Sequence, residues 1–238
     1  MPLEPEEKFG CLLMAWWDGR GAARVFAHEG DALLMERAMG SGAAAGRGAL
    51  LEMALNGRDD EASRIMCHAV ARLHAPRARP VPDLIPLARW FHELALVAEK
   101  HGGMLKVCAA TAHELLASPR DIVVLHGDIH HGNILDFGAR GWLAIDPKRL
   151  TGERGFDYAN LFCNPELATV AAPGRLVRQL DVVVEAAGLE RRRLLQWIVA
   201  YAGLSAAWFL GDGNGEAAGA DLAVAQLAAA ELASVSGE

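Results

Sequence analysis

The 238-residue sequence has few aromatic residues, no excess of positive charge, no paired cysteines and no uninterrupted apolar run long enough to span a bilayer. Each shortage excludes something. A formal net charge of -7 argues against a nucleic-acid partner, because phosphate binding needs basic patches. Cys11, Cys67, Cys108 and Cys163 lie far apart with no Cys-x-x-Cys pair. That argues against a disulfide framework or a zinc site and fits reduced, mostly buried thiols. Pro2, Glu4, Pro5, Glu6 and Glu7 precede any apolar run, so no leader peptide is read. No membrane partner is expected, and the location is expected to be cytoplasmic. No repeat of fixed period occurs. Aromatics make up 6% of the chain against 52% hydrophobic residues, and the excess is Ala and Leu. Such a composition reads as many helices packed through small residues.

Read in order, the chain begins with a helix expected over 5–17, opened by Pro5, Glu6 and Glu7. A hairpin follows, with strands at 22–27 and 32–36 around a His28-Glu29-Gly30-Asp31 turn. Residues 39–49, rich in Gly, Ala and Ser, read as a flexible connector and the best domain boundary. It divides the chain into 1–38 and 39–238. Helices are expected at 59–74, 86–100, 104–117, about 156–163, 173–187, 191–210 and 217–234, with an extended Pro-rich piece at 77–83.

The chemistry concentrates in residues 122–148. An apolar strand, Ile122 to Leu125, feeds a polar loop with His126, Asp128, His130 and Asn133. A second strand, a Gly-rich turn and a third strand then deliver Asp146. Kinase-type phosphoryl transfer uses this spacing: an Asp to take the hydroxyl proton, an Asn five residues on, and an Asp on the next strand. Asp128 is the candidate base; Asn133 and Asp146 are the candidate Mg²⁺ ligands. Magnesium needs few protein ligands because water and phosphate oxygens supply the rest. Asp136-Phe137-Gly138 spells a kinase metal motif, but it lies three residues after Asn133, too close to fold back beside it. It fits a hairpin turn instead. His126 and His130 read as loop supports, and Asp157 as an acceptor of loop hydrogen bonds.

The motif His126-Gly127-Asp128-Ile129-His130-His131-Gly132-Asn133, with Gly141-Trp142-Leu143-Ala144-Ile145-Asp146-Pro147-Lys148 and the run 152–165, resembles the aminoglycoside phosphotransferases. The likeness is to their streptomycin 6-kinase and hydroxyurea-kinase branch, and it covers roughly 11–232. It implies an α+β, protein-kinase-like two-lobe fold with a mostly helical large lobe, and ATP and Mg²⁺ as cofactors. It also implies a hinge in which the Glu36 carbonyl and the Ala38 amide meet adenine. The family's phosphate-covering loop and phosphate-binding lysine have no counterpart in the sequence, so a truncated small lobe is expected, and Lys148 is no obvious substitute. The acceptor implied is a cationic small molecule such as streptomycin, whose guanidinium groups call for carboxylates. Glu153, Glu166 and Asp212, beyond the catalytic stretch, are the candidates, with Asp157 a weaker one. An inactive remnant or binding protein of the same fold, or a kinase for another small alcohol, are the alternatives. The oligomeric state is left open.

Overall fold

The computed structural model describes residues 10–30, 32–39 and 48–235. The expected helix start at Pro5, Glu6 and Glu7, the turn residue Asp31 and most of the connector (40–47) lie outside the described residues.

Helix α1 (Gly10–Trp17) buries Leu13, Met14, Trp16 and Trp17 and leads into a hairpin of β1 (Val25–Glu29) and β2 (Ala32–Met35). The first strand starts later than its sequence indicates and takes in His28 and Glu29. The reason is that Ala22 and Ala23 are engaged elsewhere: Ala22 bridges Ala144 in parallel, and the Ala23 N–H donates to the Ala144 carbonyl at 2.9 Å.

Next come α2 (Ala49–Leu55) and α3 (Asp59–His74). The latter opens with Asp59, Asp60 and Glu61 and carries Arg72 in its last turn, charges that complement the helix dipole at both ends. After the extended segment lie β3 (Ile85–Pro86), α4 (Leu87–Trp90), α5 (His92–His101) and α6 (Met104–Ala117). The single helix expected over 86–100 is therefore two, parted at Phe91. Strands β4 (Ile122–Leu125), β5 (Ile134–Asp136), β6 (Trp142–Ala144) and β7 (Leu150–Glu153) carry the central stretch. The antiparallel β5–β6 pair, in register Ile134↔Ala144, has Asp136 at its turn, where its carboxylate accepts the Gly138 N–H at 2.8 Å. Strand β7 has no counterpart among the expected elements, because Thr151-Gly152 breaks the apolar signal. It pairs antiparallel with β4 (Leu125↔Leu150) and parallel with β3 (Ile85↔Leu150), making a three-stranded sheet beside the loop that carries Asp128.

The chain ends in α7 (Gly155–Ala159), a 3-10 turn at Asn160–Cys163, α8 (Leu167–Val170), α9 (Arg175–Ala187), α10 (Arg191–Gly211) and α11 (Gly215–Val235). Helix α10 is the axle of the large lobe and packs on α5, α6, α7 and α11. A Cβ at Gly203 would meet the Cys108 Cβ at 2.2 Å, so this glycine sets how closely α10 and α6 approach. The expectation that no segment is long and apolar enough to span a bilayer is corrected: by length and composition alone, α10 and α11 both are. In α10 that apolar character serves the core, where Leu195, Ile198 and Leu204 are fully buried; α11 buries only the face that carries Ala218, Val224, Ala225 and Ala228.

Candidate active site

Strand β4 ends in the core at Leu125, and the chain then turns at Gly127, whose φ is +86°. A side chain there would meet Leu150 Cδ1 at 2.7 Å and Lys148 Cβ at 3.0 Å, so both the conformation and the space require glycine. The turn sets Asp128 at a cavity wall with its side chain 28% exposed. The Asn133 amide donates to the Asp128 carbonyl at 2.9 Å and to its Oδ2 at 3.4 Å. The Asn160 amide reaches Oδ1 at 3.3 Å. Asn164 in turn donates to Asn160 Oδ1 at 2.8 Å, and the Asn164 carbonyl accepts from the Arg175 guanidinium at 3.0 Å. Arg175 is locked to Asp59 by two hydrogen bonds of 2.8 and 3.1 Å. A polar chain, buried at its Arg175–Asp59 end and half-buried beyond, thus runs from α3 and α9 to the candidate base.

The loop backbone is held from below. Asp157, 1% exposed, accepts the N–H groups of His126 (2.9 Å) and Gly127 (2.8 Å) and a hydrogen bond with His74 Nε2 (2.8 Å). Burial alone would raise its carboxyl; the hydrogen bond from His74, with those from the loop, outweighs burial and holds it below the usual carboxylate range. This occupancy takes Asp157 out of the candidate substrate carboxylates. His126 is fully buried and stacks on Trp17 with ring centroids 6.1 Å apart. Its Nε2 bonds the Ile145 carbonyl at 2.8 Å and its Nδ1 accepts the Asp128 N–H at 3.2 Å. Burial lowers its pKa, so the ring is neutral with both nitrogens engaged, the arrangement of a brace. His130 accepts the Gly132 N–H at 3.0 Å and keeps Nε2 3.9 Å from Asp128 Oδ2.

Asn133 precedes β5 and Asp146 follows β6, at the same end of the hairpin. The Ile145 N–H donates to the Asn133 carbonyl at 2.9 Å, which sets Asp146 one residue beyond the pair. Asp146 is exposed, and its backbone φ of +59° lies in the left-handed region that Asp tolerates better than most residues. No group of three or more His, Cys, Asp or Glu suited to a metal occurs among the described residues. The donor set nevertheless fits magnesium. The Asn133 amide nitrogen is spent on Asp128, which leaves its oxygen for a cation, and Asp146 adds one charged oxygen ligand.

The cavity beside Asp128 has a volume of about 380 Å³. Lys148, Asn160, Asn164, Trp90, Trp208 and Asp221 are among its lining residues. Lys148 is nearer than its sequence position indicates: its Nζ lies 3.9 Å from Asp128 Oδ2. Glu153 is a correction. It is 4% exposed on β7, and its carboxylate binds Arg193 (2.7 and 2.8 Å), the Trp197 indole N–H (2.7 Å) and the Arg120 N–H (2.9 Å). Burial acts to raise its pKa but these donors lower it, so it is a structural anion away from the cavity. Asp212 caps the C-terminus of α10, exposed and outside the cavity lining, and Glu166 is exposed one residue after the lining residue Pro165. Glu36 accepts the Arg24 N–H at 3.2 Å and pairs with Arg140 of the β5–β6 turn. The Glu36 carbonyl and the Ala38 N–H have no backbone partner among the described residues. Sequence reasoning missed Asn160, Asn164 and Asp221. The first two stand inside the recognised 152–165 run, where their spacing of four on one turn was the available signal.

Asp128, Asn133 and Asp146 stand at the ends of short strands. Comparison with known proteins supplies the class. A family model described as aminoglycoside/hydroxyurea antibiotic resistance kinase matches residues 3–213. The chain is 55% identical over 214 residues to a streptomycin 3''-kinase of Klebsiella pneumoniae, covering 88% of this chain and 78% of that protein. It is 30% identical over 234 residues to a streptomycin 6-kinase of Streptomyces griseus, covering 93% and 73%. Among solved structures it resembles the aminoglycoside phosphotransferase APH(3'')-Id of Streptomyces rimosus, determined with ADP and streptomycin. There the TM-score is 0.55 at 20% identity, over 85% of this chain and 84% of that one, a likeness of fold. The chain belongs to the aminoglycoside/hydroxyurea antibiotic resistance kinase family, with the protein-kinase-like fold, and is a phosphotransferase by that membership.

Proposed function

We propose that the protein transfers the γ-phosphate of ATP to a hydroxyl of streptomycin in the cytoplasm. The observation that carries this reading is Asp128, set at the cavity wall with both carboxylate oxygens steered by Asn133 and Asn160. In the reaction the acceptor hydroxyl gives its proton to Asp128 while its oxygen bonds the γ-phosphorus. The bond from that phosphorus to the β–γ bridging oxygen breaks, and ADP leaves. Mg²⁺, held by Asn133 and Asp146, would neutralise charge on the phosphates when bound. Lys148, beside Asp128, adds positive charge near the transferring group. On this reading residues 1–38 hold the nucleotide-facing part, with the Glu36 carbonyl and Ala38 N–H toward adenine, and 39–238 form the catalytic and acceptor lobe. Identity of 55% to the 3''-kinase against 30% to the 6-kinase favours the 3''-hydroxyl as acceptor.

The test is ADP release and phosphate attachment on streptomycin by the purified chain with Mg·ATP, the position being read by NMR. Transfer is expected, with kcat reduced roughly 10²- to 10⁴-fold in Asp128→Ala. A chain that transfers nothing, or an Asp128→Ala variant as fast as the parent, would overturn the proposal.

A further inference from the structure

The cavity contains a carboxylate with no part in phosphoryl transfer. Asp221 of α11 is 6% exposed, and its Oδ2 is buried with no hydrogen-bond partner among the described residues. Four aromatic residues, Trp90, Tyr201, Trp208 and Phe209, line the same space, together with polar ones that include Asp128, Lys148 and Asn160. Trp90 and Trp208 meet edge to face with centroids 5.6 Å apart. Burial pushes the Asp221 carboxyl up to about 6, and the neighbouring Ser205 and Cys163 side chains only partly offset that.

A half-satisfied carboxylate in such a wall is costly to the fold, and an apolar residue of similar size would fit at less cost. Asp221 is therefore explained by what enters the cavity rather than by what surrounds it. A group that repairs the defect must donate hydrogen bonds, and a positive charge on a donor that also suits aromatic faces repairs it best. A guanidinium fits both demands, since it donates in a plane and stacks on rings.

We propose that Asp221 is the acceptor-recognition carboxylate of this enzyme, pairing through its free oxygen with a guanidinium group of the substrate while Asp128 takes the hydroxyl proton. This rests on the aminoglycoside reading above but moves recognition away from Glu153, Asp157, Glu166 and Asp212. It separates two jobs in one cavity: Asp221 governs affinity for the acceptor, and Asp128 governs turnover.

Streptomycin binding is measured by calorimetry and tryptophan fluorescence, alongside KM and kcat with Mg·ATP, for the parent, Asp221→Asn and Asp221→Leu. The expected result is at least a tenfold rise in Kd and in KM for streptomycin in both variants, with KM for ATP unchanged. Thermal midpoints are expected to be equal to or above the parent's, because a buried unpaired carboxylate has been removed. Unchanged streptomycin affinity overturns the inference. So does a fall in midpoint accompanied by parallel loss of ATP and streptomycin binding, the signature of a residue that only supports the fold. If the parent binds streptomycin and Asp221→Asn does not, yet no phosphate is transferred, the reaction proposed above fails while the recognition role stands. If transfer proceeds equally in Asp221→Asn, the reaction stands and the recognition role fails.

Discussion

The β1–β2 hairpin and the loop after β4 are both short excursions at the ends of strands, and they are built in opposite ways. The hairpin leaves Phe26 64% and Leu34 62% exposed. Beyond its own ladder it is tied to the rest by the Ala22–Ala144 bridge and the Glu36–Arg140 pair. In the catalytic loop His126 is fully buried, and its backbone and both ring nitrogens have partners. Behind it stand Asp157, His74 and the Asn160–Asn164–Arg175–Asp59 chain. Opening the hairpin forfeits little buried surface, while moving the loop strands several desolvated polar groups. The structure therefore fixes Asp128 firmly and holds the hairpin lightly; on the proposed function the hairpin is the nucleotide-facing edge, a part that must admit and release a ligand.

Three perturbations break or sharpen this contrast. The largest effect is expected from Arg175→Ala, which leaves Asp59 buried without its bidentate partner. Arg178, 3.7 Å from the same carboxylate, compensates in part, so the loss is set at about 3 kcal/mol by urea unfolding. Activity should fall as Asn160 loses its backing. A loss under about 1 kcal/mol would show that the loop is not anchored through α3 and α9. The second is pH. His131 is 3% exposed, neither ring nitrogen has a partner among the described residues, and burial lowers its pKa from 6.5 to about 4. Between those values the unfolded chain protonates this ring and the folded one does not, so the contribution of His131 makes stability rise with pH across that window. It is lost as pH falls from 6.5 to 4, by up to roughly 3 kcal/mol. His126, lowered by burial, acts with the same sign, and Asp157 withdraws its contribution further down, as pH falls through its depressed folded value. Asp221, raised by burial from 3.8 to about 6, acts with the opposite sign between those values, so the reading is the difference between two chains. In unfolding at stepped pH the parent should lose stability relative to His131→Phe as pH falls from 6.5 to 4; an equal pH dependence in both would dismiss His131 as a source. The smallest effect is expected at the hairpin. Glu36→Gln weakens a pair whose side chains are 20% and 24% exposed, and should cost about 1 kcal/mol or less. A cost matching that of Arg175→Ala would erase the distinction between the two regions.

Much of this was legible in the sequence because it is local. The 3.6-residue periodicity of Asp59–His74 and Met104–Ala117 and the two hairpins are carried by neighbouring residues. So is the Asp128–Asn133–Asp146 set, which one loop and one hairpin deliver. What was not legible depends on distant partners. Glu153 looks like a free acid until Arg193 and Trp197, 40 and 44 residues further on, are folded against it. Asp221 sits in an Ala-rich helix with no motif around it, and only the packing of α11 on α10 brings it to the cavity. Strand β7 was hidden because two of its four residues are Thr and Gly, which pair well enough once β4 and β3 flank them.

The left-handed backbone at Asp146 bears on how such a gene falls silent. Asparagine and glycine are the residues most at ease with a φ of +59°, and each is one base change from either aspartate codon. The commonest mutations at this codon therefore tend to spare the fold while deleting the charge assigned to the metal. On the proposed function, a chain so altered would accumulate like its parent and transfer no phosphate, so the presence of the gene, or even of abundant protein, would overstate resistance unless this codon is read.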